Sequence, residues 1–134
     1  MTRNVMLVPV AKTAGIYTAS LGLVQALNNN GIKATLFSPF ADCSKAECSD
    51  RSLNKFCAAK KIAKGNRSDV LEKIVANYNL LKNSDNYDVI VIEGVTGAPF
   101  DKDEMNADIC HAFDASIVPV VQGTCSCAES ALAA

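Results

Sequence analysis

Residues 88–94 read DVIVIEG, and four consecutive β-branched residues occupy the centre of this stretch. A continuous apolar run of this kind is typical of a strand that is buried on both faces of a sheet. Strands of this type belong to parallel sheets whose two faces are covered by helices. Gly94 ends the run, so a loop is expected where the strand reaches the edge of the sheet. The stretch therefore predicts an inner strand of a parallel α/β sheet.

Three more segments show the composition of strands. Asn4–Pro9 (NVMLVP) and Lys33–Phe37 (KATLF) are short apolar runs that a proline or Ser-Pro pair closes, and Ala115–Val121 (ASIVPVV) is the last. Pro119 lies inside the last run and cannot donate a backbone hydrogen bond to a neighbouring strand. We therefore expect the fourth strand at an edge of the sheet.

Two helices are predicted between these strands. Residues 17–29 place their apolar side chains at helical spacing, and Gly31 supplies a stop that tolerates the left-handed conformation. The second helix begins with Ser68 as its N-cap and runs to Leu81, with acidic residues early in the helix, where the helix dipole favours them. The apolar positions expected to face the interior are Leu23, Val24 and Leu27 in the first helix, and Leu71, Ile74, Val75, Tyr78 and Leu81 in the second.

The remaining segments complete an alternating pattern. Residues 103–113 predict a helix with Met105, Ile109 and Ala112 directed inward, and residues 41–65 predict a short helix within a long excursion. Strands that alternate with helices indicate an α/β three-layer sandwich with a mainly parallel sheet and right-handed crossovers.

Composition limits the classes of function. The chain has 134 residues, which is room for one domain, and 13 basic against 14 acidic side chains leave a net charge of −1. No overall field attracts nucleic acid or an anionic membrane, and no apolar run reaches the length of a membrane span. Residues 42–84 hold nine basic and five acidic side chains, which indicates either a solvated face or a basic patch that accepts a phosphate ligand.

Six cysteines are present, and no secretory signal precedes them. Their spacings include C-x4-C and C-x-C but no C-x-x-C pair, and His111 is the one histidine, so we expect reduced thiols and no metal site. His111 is expected on the surface of the helix before the fourth strand, and we do not expect it to act as a general base. These features predict a cytoplasmic protein.

The loop after the first strand stands where nucleotide-binding proteins hold phosphate with backbone N–H groups. It reads VAKTAGIYT (residues 10–18) and so keeps Gly15, but Ile16 and Tyr17 replace the Lys and Ser/Thr of a working P-loop. The candidate ligand residues of this loop are Lys12, Thr13, Gly15, Tyr17 and Thr18. A solvated turn is the favoured interpretation of Lys12, and packing against the fold is favoured over stacking on a base for Tyr17.

Two further candidates come from the ends of strands. Glu93 and Gly94 end the third predicted strand, where an acidic residue can help to place a metal ion at a nucleotide, and Asp50 occupies the loop after the second strand. Solvated acids at these positions are the alternative. The sequence shows no catalytic constellation, so no catalytic residue is assigned.

Several colinear segments together resemble one family. They are VMLVPVAKTAGIYTASLGLVQALNNNGIKATLFSPFA near the start, KIVANYN (73–79), VIVIEGV (89–95) and MNADICHAFDASIVPVVQGT (105–124). They are similar to the opening of the long form of bacterial phosphate acetyltransferase, whose N-terminal domain belongs to the dethiobiotin-synthetase-like branch of P-loop folds. The resemblance covers nearly the whole chain.

The resemblance implies that residues 1–134 are one partial dethiobiotin-synthetase-like domain of P-loop NTPase-like fold, incomplete at its C-terminus. The parent enzyme converts acetyl-CoA and phosphate into acetyl phosphate and CoA with a separate acetyltransferase domain, which this chain lacks. The implied role here is regulation and assembly, with that catalytic domain and further copies as partners. Gly15, Glu93 and Gly94 match the family pattern, whereas Ser38 replaces a Lys that usually precedes the proline after the second strand.

Whether the chain is itself an enzyme stays open at this stage. The losses at Ile16, Tyr17 and Ser38 disfavour ATP-driven chemistry, because they remove the groups that stabilise a transferring phosphoryl. The first expectation is a noncatalytic module with a degenerate site and at most weak nucleotide binding. The alternatives are a small ATP-dependent enzyme of the dethiobiotin-synthetase type and a free-standing metabolite sensor.

Overall fold

The computed structural model describes residues 2–10, 15–41, 53–96 and 101–121. The strands are β1 (Arg3–Pro9), β2 (Ala34–Phe37), β3 (Phe40–Ala41), β4 (Leu53–Asn54), β5 (Val89–Glu93) and β6 (Ser116–Val120). The helices are α1 (Ile16–Asn29), α2 (Lys55–Ala63), α3 (Arg67–Ser84) and α4 (Lys102–Phe113). Four of the strands form one parallel sheet in the order β2-β5-β1-β6, and β3 pairs with β4 in a separate parallel ladder.

The inner position of β5 confirms the prediction from DVIVIE. Ile90, Val91 and Ile92 are fully buried, and β5 pairs in parallel with β1 on one side and β2 on the other. Because successive side chains point to opposite faces of a sheet, a strand between two helical layers has to be apolar at every position.

The two faces of the sheet are covered by different helices. Met6, Phe37, Ile90 and Ile92 belong to one cluster with buried side chains of α2, α3 and α4. Leu7 and Val91 alternate with that set and are buried on the opposite face, where α1 packs against β1, β2 and β5. The arrangement is that of a three-layer α/β sandwich, as predicted.

Among the described residues, β6 is the outermost strand of the sheet, in agreement with the predicted edge position. β6 pairs with β1, and the Val10 N–H donates to the Val120 carbonyl at 3.0 Å, so the polar groups of Val120 face β1. The backbone polar groups of the preceding residue, Pro119, therefore point away from β1. Because the proline nitrogen faces that outer side, its lack of an N–H costs no hydrogen bond between β6 and β1. Ile117 and Val118 point to opposite faces and are both exposed.

The helices differ from the predictions at both ends of α3 and in one buried position of α4. α3 begins at Arg67 with Asn66 at its cap position, so the prediction of Ser68 as N-cap is wrong. The Arg67 Nε donates to Asp108 Oδ2 of α4 at 2.7 Å, a contact between helices that fixes this first turn and that no local pattern encodes. α3 also continues to Ser84, and Ala112 of α4 is exposed while Phe113 is buried instead.

Other expectations about the helices hold. The short helix within residues 41–65 is α2, and Gly31 adopts the left-handed conformation after α1, with φ of 81°. Val70 joins the predicted apolar residues of α3 in the interior. None of the helices in the described part of the chain is long and apolar enough to cross a bilayer.

Candidate functional site

The sheet has its topological switch point at the carboxyl ends of β1 and β5, the place where α/β sheets of this kind bind ligands, and we call this edge the crevice. The connection from β1 leads to β2 on one side of the sheet, and the connection from β5 crosses to β6 on the other side. Where adjacent parallel strands send their chains in opposite directions, the loops separate and leave room for a ligand. Glu93, at the end of β5, is paired in register with Leu7 of β1 and borders this crevice.

Gly94 is the point at which the loop after β5 touches β1. Its N–H donates to the Leu7 carbonyl at 2.9 Å, and a Cβ at this position would lie 2.4 Å from that oxygen. Any side chain would therefore push the two strand ends apart. Glycine is required here by close approach of two backbones, which is a structural reason for the Glu-Gly pair.

Glu93 is half-buried, and its carboxylate accepts a hydrogen bond from the Ser38 hydroxyl, with 2.6 Å between Oγ and Oε2. Burial raises the pKa of the Glu93 carboxyl above its ordinary value, and the bond from Ser38 offsets only part of that effect. A lysine in place of Ser38 would add a positive charge beside the carboxylate and lower its pKa. The serine keeps the hydrogen bond without the charge.

Asn106 of α4 fixes the next residue of the same loop. Its Oδ1 accepts from the Val95 N–H at 2.8 Å, and its Nδ2 donates to the Val95 carbonyl at 3.1 Å. Asn106 is only 4% exposed, so the interior holds a polar side chain whose groups are paired. Sequence reasoning missed this residue, although an amide beside the inward-facing Met105 was the available signal.

The phosphate-loop candidates are only partly within the described residues. Gly15 lies at the cap position of α1 in the left-handed conformation, with φ of 83°. Tyr17 is 55% exposed and Thr18 is exposed, so the interpretation of Tyr17 as a packed side chain is wrong. Lys12, Thr13 and Asp50 lie outside the described residues.

Ile16 explains why the lysine of a P-loop has no equivalent here. It is the first residue of α1 and is 2% exposed, so its side chain belongs to the interior. An ammonium group at this position would be buried at a high free-energy cost. α1 carries no acidic residue in its first turn and no side-chain cap, so its N-terminus retains a positive potential.

The described residues thus bring together Glu93, Gly94, Ser38 and Asn106 at one edge of the sheet. A carboxyl of raised pKa donates a hydrogen bond when protonated and is a ligand for a hard cation when ionised. Backbone N–H groups at the start of a helix favour an anion. The arrangement is suited to binding a polar ligand.

Neither the histidine nor the described thiols contribute to this edge. His111 is exposed on α4, as predicted. Cys57 and Cys110 form no disulfide with each other, and the Cys110 thiol donates to the Ala115 carbonyl at 3.2 Å. Cys43, Cys48, Cys125 and Cys127 lie outside the described residues.

Comparison with known proteins finds relatives of one name. The chain is 33% identical over 138 residues to phosphate acetyltransferase of Haemophilus influenzae and 30% identical over 134 residues to that of Acinetobacter baylyi. It is 28% identical over 146 residues to that of Escherichia coli. These matches cover 87% to 92% of this chain. No family model matches it.

The chain spans about a fifth of the length of these relatives, between 18% and 20%. It is therefore similar to one part of proteins named phosphate acetyltransferase. The similarity extends over nearly all of the chain, in agreement with the resemblance in its motifs.

Proposed function

We propose that this chain corresponds to the N-terminal, noncatalytic part of a phosphate acetyltransferase. The observation that carries the proposal is similarity along about nine-tenths of this chain to one-fifth of each relative. The assignment to the N-terminal part rests on the motifs that resemble the opening of that family. Conversion of acetyl-CoA and phosphate into acetyl phosphate and CoA then belongs to the rest of such a protein.

We further propose that the crevice between β1 and β5 is a degenerate nucleotide site of a P-loop-like fold. The parallel sheet, the left-handed Gly15 before α1 and the Glu93-Gly94 end of β5 support this interpretation. Ile16 is buried where the P-loop lysine belongs, and Ser38 brings no charge to Glu93. Without those cations a transferring phosphoryl group is not stabilised.

The proposed role of the module is regulation and assembly. It acts in the cytoplasm, with the acetyltransferase domain of the parent protein and further copies of that protein as its partners. We expect nucleotide binding to be weak, because Ile16 and Ser38 supply no ammonium group to a phosphate and backbone N–H groups at the start of α1 are the described contacts that favour an anion.

The first experiment tests the absence of catalysis and of tight nucleotide binding. The purified chain, shown to be folded by circular dichroism, is assayed for acetyl phosphate formation and titrated calorimetrically with Mg-ATP. We expect no turnover and no binding at micromolar ATP. Formation of acetyl phosphate by this chain would refute the noncatalytic assignment, and ATP-dependent turnover would favour the small-ligase alternative.

A chimera tests the correspondence itself. The segment of the Haemophilus influenzae enzyme that matches this chain is replaced by residues 1–134, and the chimera is assayed for acetyl transfer and oligomeric state. We expect transfer and assembly to be retained. A folded chimera that has lost its assembly state would contradict the proposed module.

A further inference from the structure

A second concave site lies away from the sheet edge, between α2, α3 and β4. It is a cavity of about 60 Å³ with walls formed by Leu53, Ala58 and Val70. About 10–15 Å³ of such space holds one water molecule, so several non-hydrogen atoms fit and a nucleotide does not. The cavity is thus sized for a small molecule.

Two lysines give the opening of the cavity a positive charge. Lys61 of α2 and Lys73 of α3 both line it, and both residues are exposed to solvent. In the part of the chain that the structure describes, neither forms an ion pair with a carboxylate. Asp69 also lines the cavity, so its described lining residues carry a net charge of +1.

We propose that this cavity binds a short organic carboxylate of two to four carbons. The apolar walls accept the alkyl part, and the two ammonium groups meet the carboxylate at the opening. Inorganic phosphate has the charge but leaves the apolar walls without a partner. Lys61 and Lys73 belong to segment 42–84, in which basic residues outnumber acidic ones, so this site accounts for part of that excess.

This proposal goes beyond the proposed function and does not depend on it. Its residues lie on α2, α3 and β4, whereas the crevice is formed by β1, β5, Ser38 and the start of α1. A carboxylate can therefore bind here whether or not the crevice binds nucleotide.

The test is a titration of the folded, isotope-labelled chain by NMR with propionate, with its neutral analogue propionamide and with inorganic phosphate at equal ionic strength. We expect propionate to shift the amide signals of α2 and α3 with a Kd on the order of a millimolar. Propionamide and phosphate should bind at least about tenfold more weakly, because propionamide lacks the negative charge and phosphate lacks the alkyl group.

Variants identify the groups responsible. The double substitution Lys61→Gln with Lys73→Gln should weaken propionate binding about tenfold. Lys64→Gln with Lys82→Gln removes the same charge from exposed positions that do not line the cavity, and it should leave the Kd unchanged. Equal effects of the two pairs would reduce the interaction to general electrostatic attraction and overturn the proposal.

Cys57 supplies a second readout, because it lines the same cavity and is exposed. Alkylation of individual cysteines is followed by peptide mass spectrometry, with Cys110 as the internal reference. Saturating propionate should slow alkylation of Cys57 and not that of Cys110. Absence of protection together with absence of amide shifts, in a folded sample, would mean that the cavity is only a packing gap.

Discussion

Asn106 holds both polar groups of the Val95 backbone with its one amide, at 2.8 Å from the N–H and 3.1 Å from the carbonyl. This pair connects α4 to the loop that follows Glu93 and Gly94. Arg67 of α3 bonds to Asp108, two residues further along α4 and therefore on a different side of that helix, so α4 is held from two directions. The segment that follows β5 is therefore held by α4 at Val95 as well as by β1 at Gly94.

Asn106→Ala is expected to lower the free energy of unfolding by about 2–3 kcal/mol, because it leaves the N–H and carbonyl of Val95 without partners. Asn83→Ala changes an exposed asparagine of α3 and should alter the free energy by less than about 0.5 kcal/mol. Urea denaturation of the two variants measures the difference. Equal stabilities would mean that water replaces the Asn106 amide.

Gly94→Ala should be strongly destabilising, by about 2–4 kcal/mol, since its Cβ would overlap the Leu7 carbonyl and force β1 and β5 apart. Gly22→Ala is the matched control. Gly22 lies within α1 with open space around it, and alanine there should stabilise the protein by about 0.5–1 kcal/mol. Thermal unfolding followed by circular dichroism should therefore give shifts of opposite sign.

The raised pKa of Glu93 predicts a specific pH dependence. A carboxyl whose pKa is higher in the folded state binds more protons there, so its contribution to stability is present at low pH and is lost as pH rises through the folded pKa. Glu93→Gln should thus be more stable than the parent at pH 7 and differ little at pH 4. Unfolding curves across this range provide the measurement.

Two further variants separate the effect of the Glu93 pKa on stability from the effect of a change in net charge. Glu72→Gln removes one negative charge from an exposed position of α3 and should leave the shape of the pH profile unchanged. Ser38→Lys should lower the pKa of Glu93 and shift the loss of stability to lower pH. A parent profile that Glu93→Gln does not alter would show that the carboxyl is as well solvated in the folded chain as in the unfolded one.

Ile16→Lys is expected to unfold the protein and not to restore nucleotide binding. It places an ammonium at a position that is 2% exposed, with an expected loss of about 3–5 kcal/mol. Tyr17→Lys adds the same group at the exposed neighbouring position and should change stability by less than about 0.5 kcal/mol. A folded Ile16→Lys variant with gained Mg-ATP affinity would show that the crevice can still accept the lysine.

The sequence by itself determined the layers of this protein. The β-branched run of β5 requires helices on both faces, and Pro119 places β6 at an edge, because each effect depends only on burial or on a missing N–H. Gly31 ends α1 for an equally local reason. The motifs also indicated the resemblance to phosphate acetyltransferases, and the similarity to relatives of that name extends along 87% to 90% of the chain.

Tertiary structure alone decided which polar groups meet. Ser38 and Glu93 are 55 residues apart, and Asn106 reaches Val95 only because α4 packs over the end of β5. The start of α3 at Arg67 depends on Asp108, and the cavity depends on how α2 lies against α3. Periodicity specifies which face of an element is buried, but the partner of each polar side chain depends on the order of strands and the packing of helices.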